Sequence, residues 1–443
     1  MFWIYEGATP VMNYDKRRTI ILGITLFAMF FGAGNLIFPS FLGFESRANF
    51  TPSILGFAIT AILLPMLGIN VIVKRKGMKN LGDTIAPWFA ALFTFLIYIT
   101  IGPLLAIPRT SSTSFAIAIE PFISNPSKMQ LYMVLYSIVF FSLSILIAFK
   151  PDKLSSFLGK MSAPLLIVLI LIIFIATALK GMGIGGEHIS EKYIATPFIS
   201  GFLDGYQTMD TIAALNFGII FVFNVEALGF KKFDEQRSIT LKSSIIAGSL
   251  LFLIYLALGL IGRSSGLAEA TNGTQILTYA VQDSFGMVGM IILAVIFVLA
   301  CFNTCTALIS CVSNYFHTIL PNISYKTWVV FFGLSSAVIS NAGLNAILKF
   351  SIPILNAIYP LAISLIVVGL FNMDKKESFR ISRKLMMSVV GIFSVGPVLF
   401  NLFNAGAVFG ALPLYDIGLV WLIPGLVALV VGYLIQKVFL KEN

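Results

Sequence analysis

The sequence has little charge for its length. Only 11% of its 443 residues are Asp, Glu, Lys or Arg, whereas 58% are hydrophobic and the mean hydropathy is +0.96. A water-soluble protein of this size needs far more charge to cover its surface, and a protein surrounded by lipid does not. The composition therefore excludes an ordinary soluble domain and indicates an integral membrane protein.

Residues and motifs typical of enzymes and metal sites are also scarce. The three cysteines, Cys301, Cys305 and Cys311, lie in one apolar segment and cannot form the disulfide framework of a secreted protein. Two thiols without a histidine beside them make a poor transition-metal site, so we interpret these cysteines as small buried side chains. The sequence contains no HExxH, GxSxG or P-loop motif. We therefore expect neither enzymatic activity nor a cofactor.

The positive charge is spread along the chain rather than collected in one basic region. The net charge is +10, but Lys and Arg come in short clusters between apolar segments, as in Lys16–Arg18 and Lys74–Lys79. This distribution is the topology signal of a membrane protein, so we expect membrane lipid, and no nucleic acid, as the partner of these residues. The same distribution of Lys and Arg predicts that the N and C termini lie in the cytoplasm. The sequence indicates no obligate protein partner.

Twelve segments are apolar over the roughly 20 residues that a transmembrane helix needs. They predict an all-α polytopic membrane protein of about twelve helices. The predicted spans are residues 18–42, 52–73, 84–107, 129–149, 155–179, 205–229, 241–262, 285–316, 327–342, 352–372, 385–404 and 417–438.

The first predicted span is interrupted near its middle by Gly32, Gly34 and Asn35. Glycine is costly inside a helix, and a polar amide is unusual at hydrocarbon depth. A break here frees backbone amides and carbonyls, which a membrane tolerates only where they line a buried cavity. The free amides would suit a carboxylate, and the free carbonyls an ammonium group or Na⁺. Close helix packing by the two glycines is the alternative interpretation.

A second interruption lies five spans later, at Asn216 and Gly218. Paired interruptions in two halves of a chain are typical of inverted-repeat transporters whose site is at the midplane. We therefore predict a single membrane domain with a cytoplasmic tail (1–17), a first repeat of helices 1–5 (18–179), an extracellular loop (180–204), a second repeat of helices 6–10 (205–372) and two extra helices (385–438).

Around these interruptions the chain resembles the bacterial branched-chain amino acid:cation symporters. The similar stretches are FGAGNLIFPSFLG (31–43), IGPLLAIPRT (101–110), GYQTMDTIAALNFG (205–218) and LACFNTCTAL (299–308). The last departs from the family, which usually has Leu-Thr-Thr where this chain has Phe302-Asn303-Thr304.

The resemblance implies the LeuT-type fold of the amino acid–polyamine–cation superfamily, in a bacterial plasma membrane. It implies import of leucine, isoleucine and valine by Na⁺ symport with alternating access, through an aliphatic pocket between the third, sixth and eighth helices. The substrate-binding residues that it implies are Gly32, Ala33, Gly34 and Asn35, facing Ala214, Leu215, Asn216, Phe217 and Gly218. The Na⁺ ligands that it implies are the carbonyls of Ala28 and Phe31 with the side chains of Thr304 and Asn303.

Asp210 is an acid close to the second interruption, so one hypothesis is that it binds the substrate amine or serves as a proton site. The other hypothesis, which we favour, is that it caps a helix start and forms part of a gate. H⁺ coupling through Asp210 is thus the alternative to Na⁺ coupling. From a different class of function, an uncoupled channel or receptor remains the alternative to a transporter.

Two further features lie at the predicted end of the third span. Arg109 either draws substrate carboxylates inward or anchors the helix at the interface. The hydroxyl run Thr110–Ser114 either lines the outer pathway or forms a polar helix cap, and we favour the cap.

Overall fold

A computed structural model of the chain describes residues 11–149, 151–180, 186, 189–402 and 407–439. The described residues are almost entirely helical and include no β-strand. The α-helices are α1 Val11–Phe30, α2 Ala33–Ser46, α3 Phe50–Ala58, α4 Leu64–Arg75, α5 Met78–Asp83, α6 Pro87–Ile99, α7 Ala106–Ala118, α8 Met129–Ala148, α9 Pro151–Leu179, α10 Glu191–Ala195, α11 Pro197–Asp204, α12 Asp210–Ala227, α13 Phe233–Arg263, α14 Gly273–Ile319, α15 Tyr325–Ser340, α16 Leu344–Leu370, α17 Arg380–Leu402, α18 Ala407–Gly410 and α19 Leu422–Phe439.

All twelve predicted spans overlap with helices, which confirms the all-α class. Among the described residues, seven helical segments are long and apolar enough to cross a membrane, or eight if the two parts of α12 form one span. Two shorter apolar helices cover Ile167–Leu179 and Leu422–Val438. The chain is thus a multi-pass membrane protein, while the count of twelve crossings and the division into repeats stay predictions.

The outer surface of the helices is apolar, as a lipid environment requires. On α8, for example, Leu131, Leu135, Ile138 and Leu146 are each more than half exposed. Backbone polar groups are satisfied within the helices, so only side chains meet the hydrocarbon. The exposed apolar band explains how a chain with so few charges covers its surface.

Glycines allow a close helix contact between α2 and α13. A Cβ at Gly262 would lie 1.9 Å from the carbonyl oxygen of Ser40, and a Cβ at Gly43 would lie 1.9 Å from that of Gly259. In lipid, helix association relies on van der Waals packing, which small residues improve by letting backbones approach. This contact fixes α2, the second half of the first interrupted helix, against α13.

The third helix is longer than predicted. The prediction ended it at residue 107, but after the π turn Thr100–Leu104 it continues as α7 to Ala118. Pro103 has no N–H and therefore cannot donate the hydrogen bond of a regular α-helix. The backbone forms a wider turn here, in which the Leu105 N–H donates to the Thr100 carbonyl at 3.1 Å. The turn also contains a kink at Gly102 (φ −88°, ψ −124°), after which the third helix resumes as α7.

The predicted extracellular loop also contains regular structure. Residues 181–185, 187 and 188 lie outside the described part, but α10 and α11 follow, and α11 packs on α3. A Cβ at Gly201 of α11 would lie 1.9 Å from the Ser53 carbonyl oxygen. The polar, Gly-rich composition predicts a loop, because the α3 residues that stabilise α11 lie far away in the sequence.

Helix α14 contains one sharp bend, at Gly286, whose φ of 58° lies in the left-handed region. Glycine adopts this conformation without the steric cost that a Cβ would add. The bend separates a short leading helix from the long part of α14, which agrees with the predicted start of the eighth span at residue 285. The long part carries Asn303 and Thr304 toward the site.

Candidate functional site

The first interrupted helix breaks at Phe31 and Gly32. Helix α1 ends at Phe30, Gly32 is extended (φ −129°, ψ −170°), and α2 begins at Ala33. The last carbonyls of α1 and the first amides of α2 therefore lack regular helical partners. The negative end of the α1 dipole and the positive end of the α2 dipole meet at this point. The first end favours a cation and the second an anion, so the break suits two oppositely charged groups that lie side by side.

Asn35, in the first turn of α2, connects three helices. Its Oδ1 accepts a 3.2 Å hydrogen bond from the Gly32 N–H, and its Nδ2 donates to Asp210 Oδ2 at 2.5 Å and to the hydroxyl of Tyr255. The Tyr255 hydroxyl in turn donates to Asp210 Oδ2 at 3.2 Å. We call Asn35, Asp210 and Tyr255 the triad; all three side chains are 3% exposed or less. The triad ties the first break to the start of α12 and to α13.

The structure assigns Asp210 contacts that differ from those of a helix cap. Asp210 is the first residue of α12, after Met209 in a left-handed conformation (φ 64°). Its carboxylate, however, accepts hydrogen bonds from side chains of other helices rather than from backbone amides of α12. The capping interpretation is therefore replaced by a cross-link between helices.

The sixth helix is bent where the sequence predicts an interruption. Its parts Asp210–Asn216 and Gly218–Ala227 are inclined at 56° to each other. The side chain of Phe217 lies outside the described part. Two interrupted helices are thus present, as the sequence pattern indicated.

The predicted substrate residues of the sixth helix do not all point toward the first break. Positions Ala214 and Gly218 pack against α4, where a Cβ at Gly218 would lie 2.5 Å from Ile72 and one at Gly68 would lie 3.2 Å from Ala214 Cβ. Leu215 and Asn216 instead line a separate cavity. The described hydrogen bonds therefore link the first break to Asp210 through Asn35, and the contacts described above for Ala214, Leu215, Asn216 and Gly218 lie elsewhere.

The predicted ion ligands lie on two sides of the first break. The carbonyls of Ala28 and Phe31 belong to the end of α1 and to the break itself. Thr304 of α14 faces the break, since a Cβ at Gly32 would lie 3.5 Å from its Oγ1, which donates to the Ala300 carbonyl at 3.1 Å. Asn303 precedes it and is half-buried. Of the predicted ion ligands on α14, Thr304 is the one that the structure places against the first break.

Arg109 is the buried cation nearest the first break. Its side chain is only 4% exposed, so it is not an interface anchor. Its Nη1 donates to the Gln207 carbonyl at 2.7 Å, and its guanidinium lies 5.3 Å from the centroid of the Phe38 ring. A Cβ at Gly34 would lie 2.6 Å from its Nη2. Arg109 therefore lies beside the start of α2, and the lack of a side chain at Gly34 leaves room for its guanidinium.

The hydroxyl run Thr110–Ser114 is part of α7 rather than a cap at its end. All five side chains are 2% exposed or less. Thr110 and Ser114 donate to carbonyls one turn earlier in the helix, whereas Thr113 Oγ1 has no partner. A helix can bury hydroxyls in this way because its own carbonyls satisfy them.

Three residues of the site carried no signal in the sequence analysis. Tyr255 completes the triad, Gln207 holds Arg109 through its carbonyl, and Ser351 of α16 donates to Gln207 Oε1 at 2.6 Å. Each comes from a different helix or turn and becomes recognisable only through its distant partner. In the described residues, no group of three or more His, Cys, Asp or Glu side chains is arranged for a metal ion.

The sequence has relatives that match it along nearly its whole length. The chain is 39% identical to the putative branched-chain amino acid carrier protein of Staphylococcus aureus (strain USA300), over 97% of this chain and 98% of the relative. A homologue in strain MRSA252, of the same description, is 38% identical with the same coverage.

Solved structures with the same fold are much more distant in sequence. Mhp1, a nucleobase-cation-symport-1 family transporter in a closed conformation with bromovinylhydantoin bound, has a TM-score of 0.58 at 14% identity, with 95% of this chain and 92% of Mhp1 covered. MhsT in complex with L-phenylalanine has a TM-score of 0.54 at 16% identity, with 93% and 98% covered. These similarities confirm the LeuT-type fold.

The family match covers nearly the whole chain, from residue 15 to residue 439. This family and this fold are those of membrane transporters and not of enzymes. The interrupted helices, the apolar outer surface and the sequence relatives lead to one assignment. The chain belongs to the family described as branched-chain amino acid transport protein.

Proposed function

We propose that the protein imports leucine, isoleucine and valine by Na⁺ symport, with alternating access to a site at the first break. The observation that carries the proposal is the interruption of the first helix at Gly32, opposite the hydroxyl of Thr304. Free backbone dipoles of both signs are thereby held at one place inside the protein. The description of the family and of its Staphylococcus relatives supports the same class of substrate.

The ion would lie between the end of α1 and α14. Carbonyls of Ala28 and Phe31 and side-chain oxygens of Thr304 and Asn303 are uncharged, hard ligands of the kind that alkali cations prefer. A Na⁺ ion held by them keeps its full positive charge. That charge would help to balance the carboxylate of the amino acid, which makes binding of the two cargoes mutually dependent.

The substrate carboxylate would lie at the first amides of α2. The N–H groups of Ala33, Gly34 and Asn35 are at the positive end of the α2 dipole. The guanidinium of Arg109 beside Gly34 adds a second source of positive potential there. An aliphatic pocket separates substrates that differ by one methylene by only about 1–3 kcal/mol, so we expect cross-reactivity among the three amino acids.

The direction of transport depends on the orientation of the chain. The clusters of Lys and Arg predict that both termini lie on the cytoplasmic side. In that orientation, Lys74–Lys79 and the segment after Phe371 also face the cytoplasm. A protease-accessible tag at each terminus, tested in intact cells and in permeabilised cells, checks this assignment; cleavage of either tag in intact cells would contradict it.

H⁺ coupling through Asp210 is the second candidate, favoured by the burial of this acid within the triad. Its hydrogen bonds from Asn35 and Tyr255 also suit a permanently charged structural carboxylate. We rank the structural role first because both donors converge on one carboxylate oxygen, Oδ2.

Uptake into proteoliposomes separates the candidates. Labelled leucine is offered under an inward Na⁺ gradient, under an inward H⁺ gradient, or under neither. The proposal predicts concentrative uptake with the Na⁺ gradient, which a Thr304→Val variant loses and a Thr304→Ser variant retains. Uptake driven by the H⁺ gradient alone would favour Asp210, whereas fast flux indifferent to both gradients would indicate a channel.

A further inference from the structure

A cavity lies beyond the bend of the sixth helix, away from the first break. It has a volume of about 260 Å³ and lies between α5, α6, α12, α14 and the turn that follows α4. Its mouth carries Lys76 and Lys79, both exposed, and its inner end is formed by Asn216, the last residue before the bend. The cavity thus extends from the charged face of the protein to the sixth helix.

The inner end of the cavity has polar groups without partners. The Oγ1 of Thr94 is buried and makes no hydrogen bond, and the buried Nδ2 of Asn216 has only the Tyr98 hydroxyl and the Cys311 thiol beside it, neither of them in good hydrogen-bond geometry. A buried donor left unsatisfied is destabilising, so such groups in native structures call for an explanation. An amide N–H requires an acceptor, and two lysines at the mouth favour one with negative charge.

The rest of the lining is apolar and aromatic. Ile97, Leu215 and Ile219 contribute aliphatic surface, while the rings of Tyr98 and Tyr315 stack with centroids 3.7 Å apart and form another part of the wall. A ligand that matches this cavity has a carboxylate for Asn216 and the lysines and an aliphatic part for the wall. An aliphatic α-amino acid, the class of substrate proposed for the first break, carries both of these groups.

We infer that this cavity is a release-side binding site for the transported amino acid, with Lys76 and Lys79 attracting its carboxylate. The inference rests on the proposed function and adds a second site to it. The substrate would leave the first break, occupy this cavity beside Asn216 and then enter the cytoplasm. An amino acid already present in the cytoplasm would occupy the same cavity and slow uptake.

Inhibition by internal leucine tests this site. Uptake of labelled leucine is measured in right-side-out membrane vesicles preloaded with increasing unlabelled leucine. For a double variant Lys76→Gln/Lys79→Gln, the internal concentration that halves uptake should rise about five-fold, while the external KM stays unchanged, because weak exposed charge pairs change affinity by factors of that order. The Lys76→Arg/Lys79→Arg variant should behave as the wild type does.

The matched control is Lys231→Gln/Lys232→Gln, which removes two exposed lysines that do not line the cavity. This control variant should leave inhibition by internal leucine unchanged. A five-fold rise in its half-inhibitory internal concentration would show that general surface charge causes the effect, and would overturn the inference. Unchanged internal inhibition in the Lys76/Lys79 variant, or a rise in its external KM instead, would also overturn it. If the wild-type protein takes up no leucine, the proposed function itself fails, which is a different result from all of these.

Discussion

The side-chain amide of Asn35 donates a 2.5 Å hydrogen bond to the carboxylate of Asp210, across a separation of 175 positions in the sequence. Asn35 lies in the first turn of α2 and Asp210 is the first residue of α12, so this bond connects the two interrupted helices. Tyr255 contacts both and fixes them to α13. If one interrupted helix moves relative to the other, the hydrogen bonds of the triad must either break or move together with the helices.

Replacement of Asp210 should separate the structural role from proton coupling. In Asp210→Asn, the side-chain oxygen can still accept from Asn35 and Tyr255, so we expect Na⁺-driven leucine uptake to be largely retained. In Asp210→Ala, two buried donors lose their acceptor, at a cost of about 1–3 kcal/mol each. Thermal unfolding of the purified variants and uptake under a Na⁺ gradient measure the two effects. Loss of uptake in a stable Asp210→Asn variant would instead support a proton site.

Gly34 should not tolerate a bulky side chain. A Cβ at this position lies 2.6 Å from Arg109 Nη2, and the γ-methyl groups of valine would fill the space beside the first amides of α2. Gly34→Val should therefore abolish uptake while leaving membrane insertion intact, as measured by transport and by the amount of protein in the membrane fraction. Gly391→Val is the matched control, because a Cβ there meets only Leu361, at 3.7 Å. If Gly34→Val transports normally, the substrate site has been placed wrongly.

The contact between α2 and α13 should be sensitive to a single methyl group. Because a Cβ at Gly262 would lie 1.9 Å from a backbone oxygen, Gly262→Ala must push the two helices apart. Overpacking of this kind costs about 1–3 kcal/mol, and we expect a lower Tm together with reduced uptake. Gly391→Ala should leave both unchanged. Equal Tm values for the two alanine variants would contradict the close packing described.

A buried ion pair fastens the end of α4 to the segment after α16. Arg75 Nη2 lies 2.5 Å from Asp374 Oδ1, and both side chains are 4% exposed. Asp374→Ala leaves a buried arginine without its counter-charge, so we expect a loss of about 3–5 kcal/mol in the free energy of unfolding. Denaturant titration of the purified protein measures it.

The matched control for that change is Asp283→Ala. Asp283 pairs with Lys180 at 2.6 Å, but the two side chains are 54% and 50% exposed. Exposed pairs contribute less than about 1 kcal/mol, so this variant should unfold nearly as the wild type does. Similar losses of unfolding free energy in the two variants would show that burial does not explain the contribution of the Arg75–Asp374 pair to stability.

The sequence was sufficient for the features that depend on local composition. Apolar segments predicted the helices, and Gly32 and Asn216–Gly218 predicted where two of them are interrupted, because glycine and buried amides are visible as exceptions within an apolar run. The resemblance to the symporter family supplied the fold, which the structural similarities confirm.

Features that depend on distant partners were missed or misjudged. The polarity of Arg109 and of the hydroxyl run predicts the polar end of a helix. Hydropathy contains no information on the hydrogen bonds that satisfy these groups, which are those from the buried hydroxyls to helix carbonyls and from the Arg109 guanidinium to the Gln207 carbonyl. The contact of Asp210 with Asn35 and Tyr255 was likewise invisible, so a helix cap was preferred. Packing of Ala214 and Gly218 on α4 could not be read from the sixth helix alone.

The central claim is that the first break holds an amino acid and a Na⁺ ion together. Calorimetric titration of the purified protein with leucine, in Na⁺ and in an equal concentration of choline, tests it most directly. Coupled binding of two cargoes at adjacent positions predicts an affinity for leucine about 5- to 150-fold higher in Na⁺. The same affinity in both solutions would contradict it.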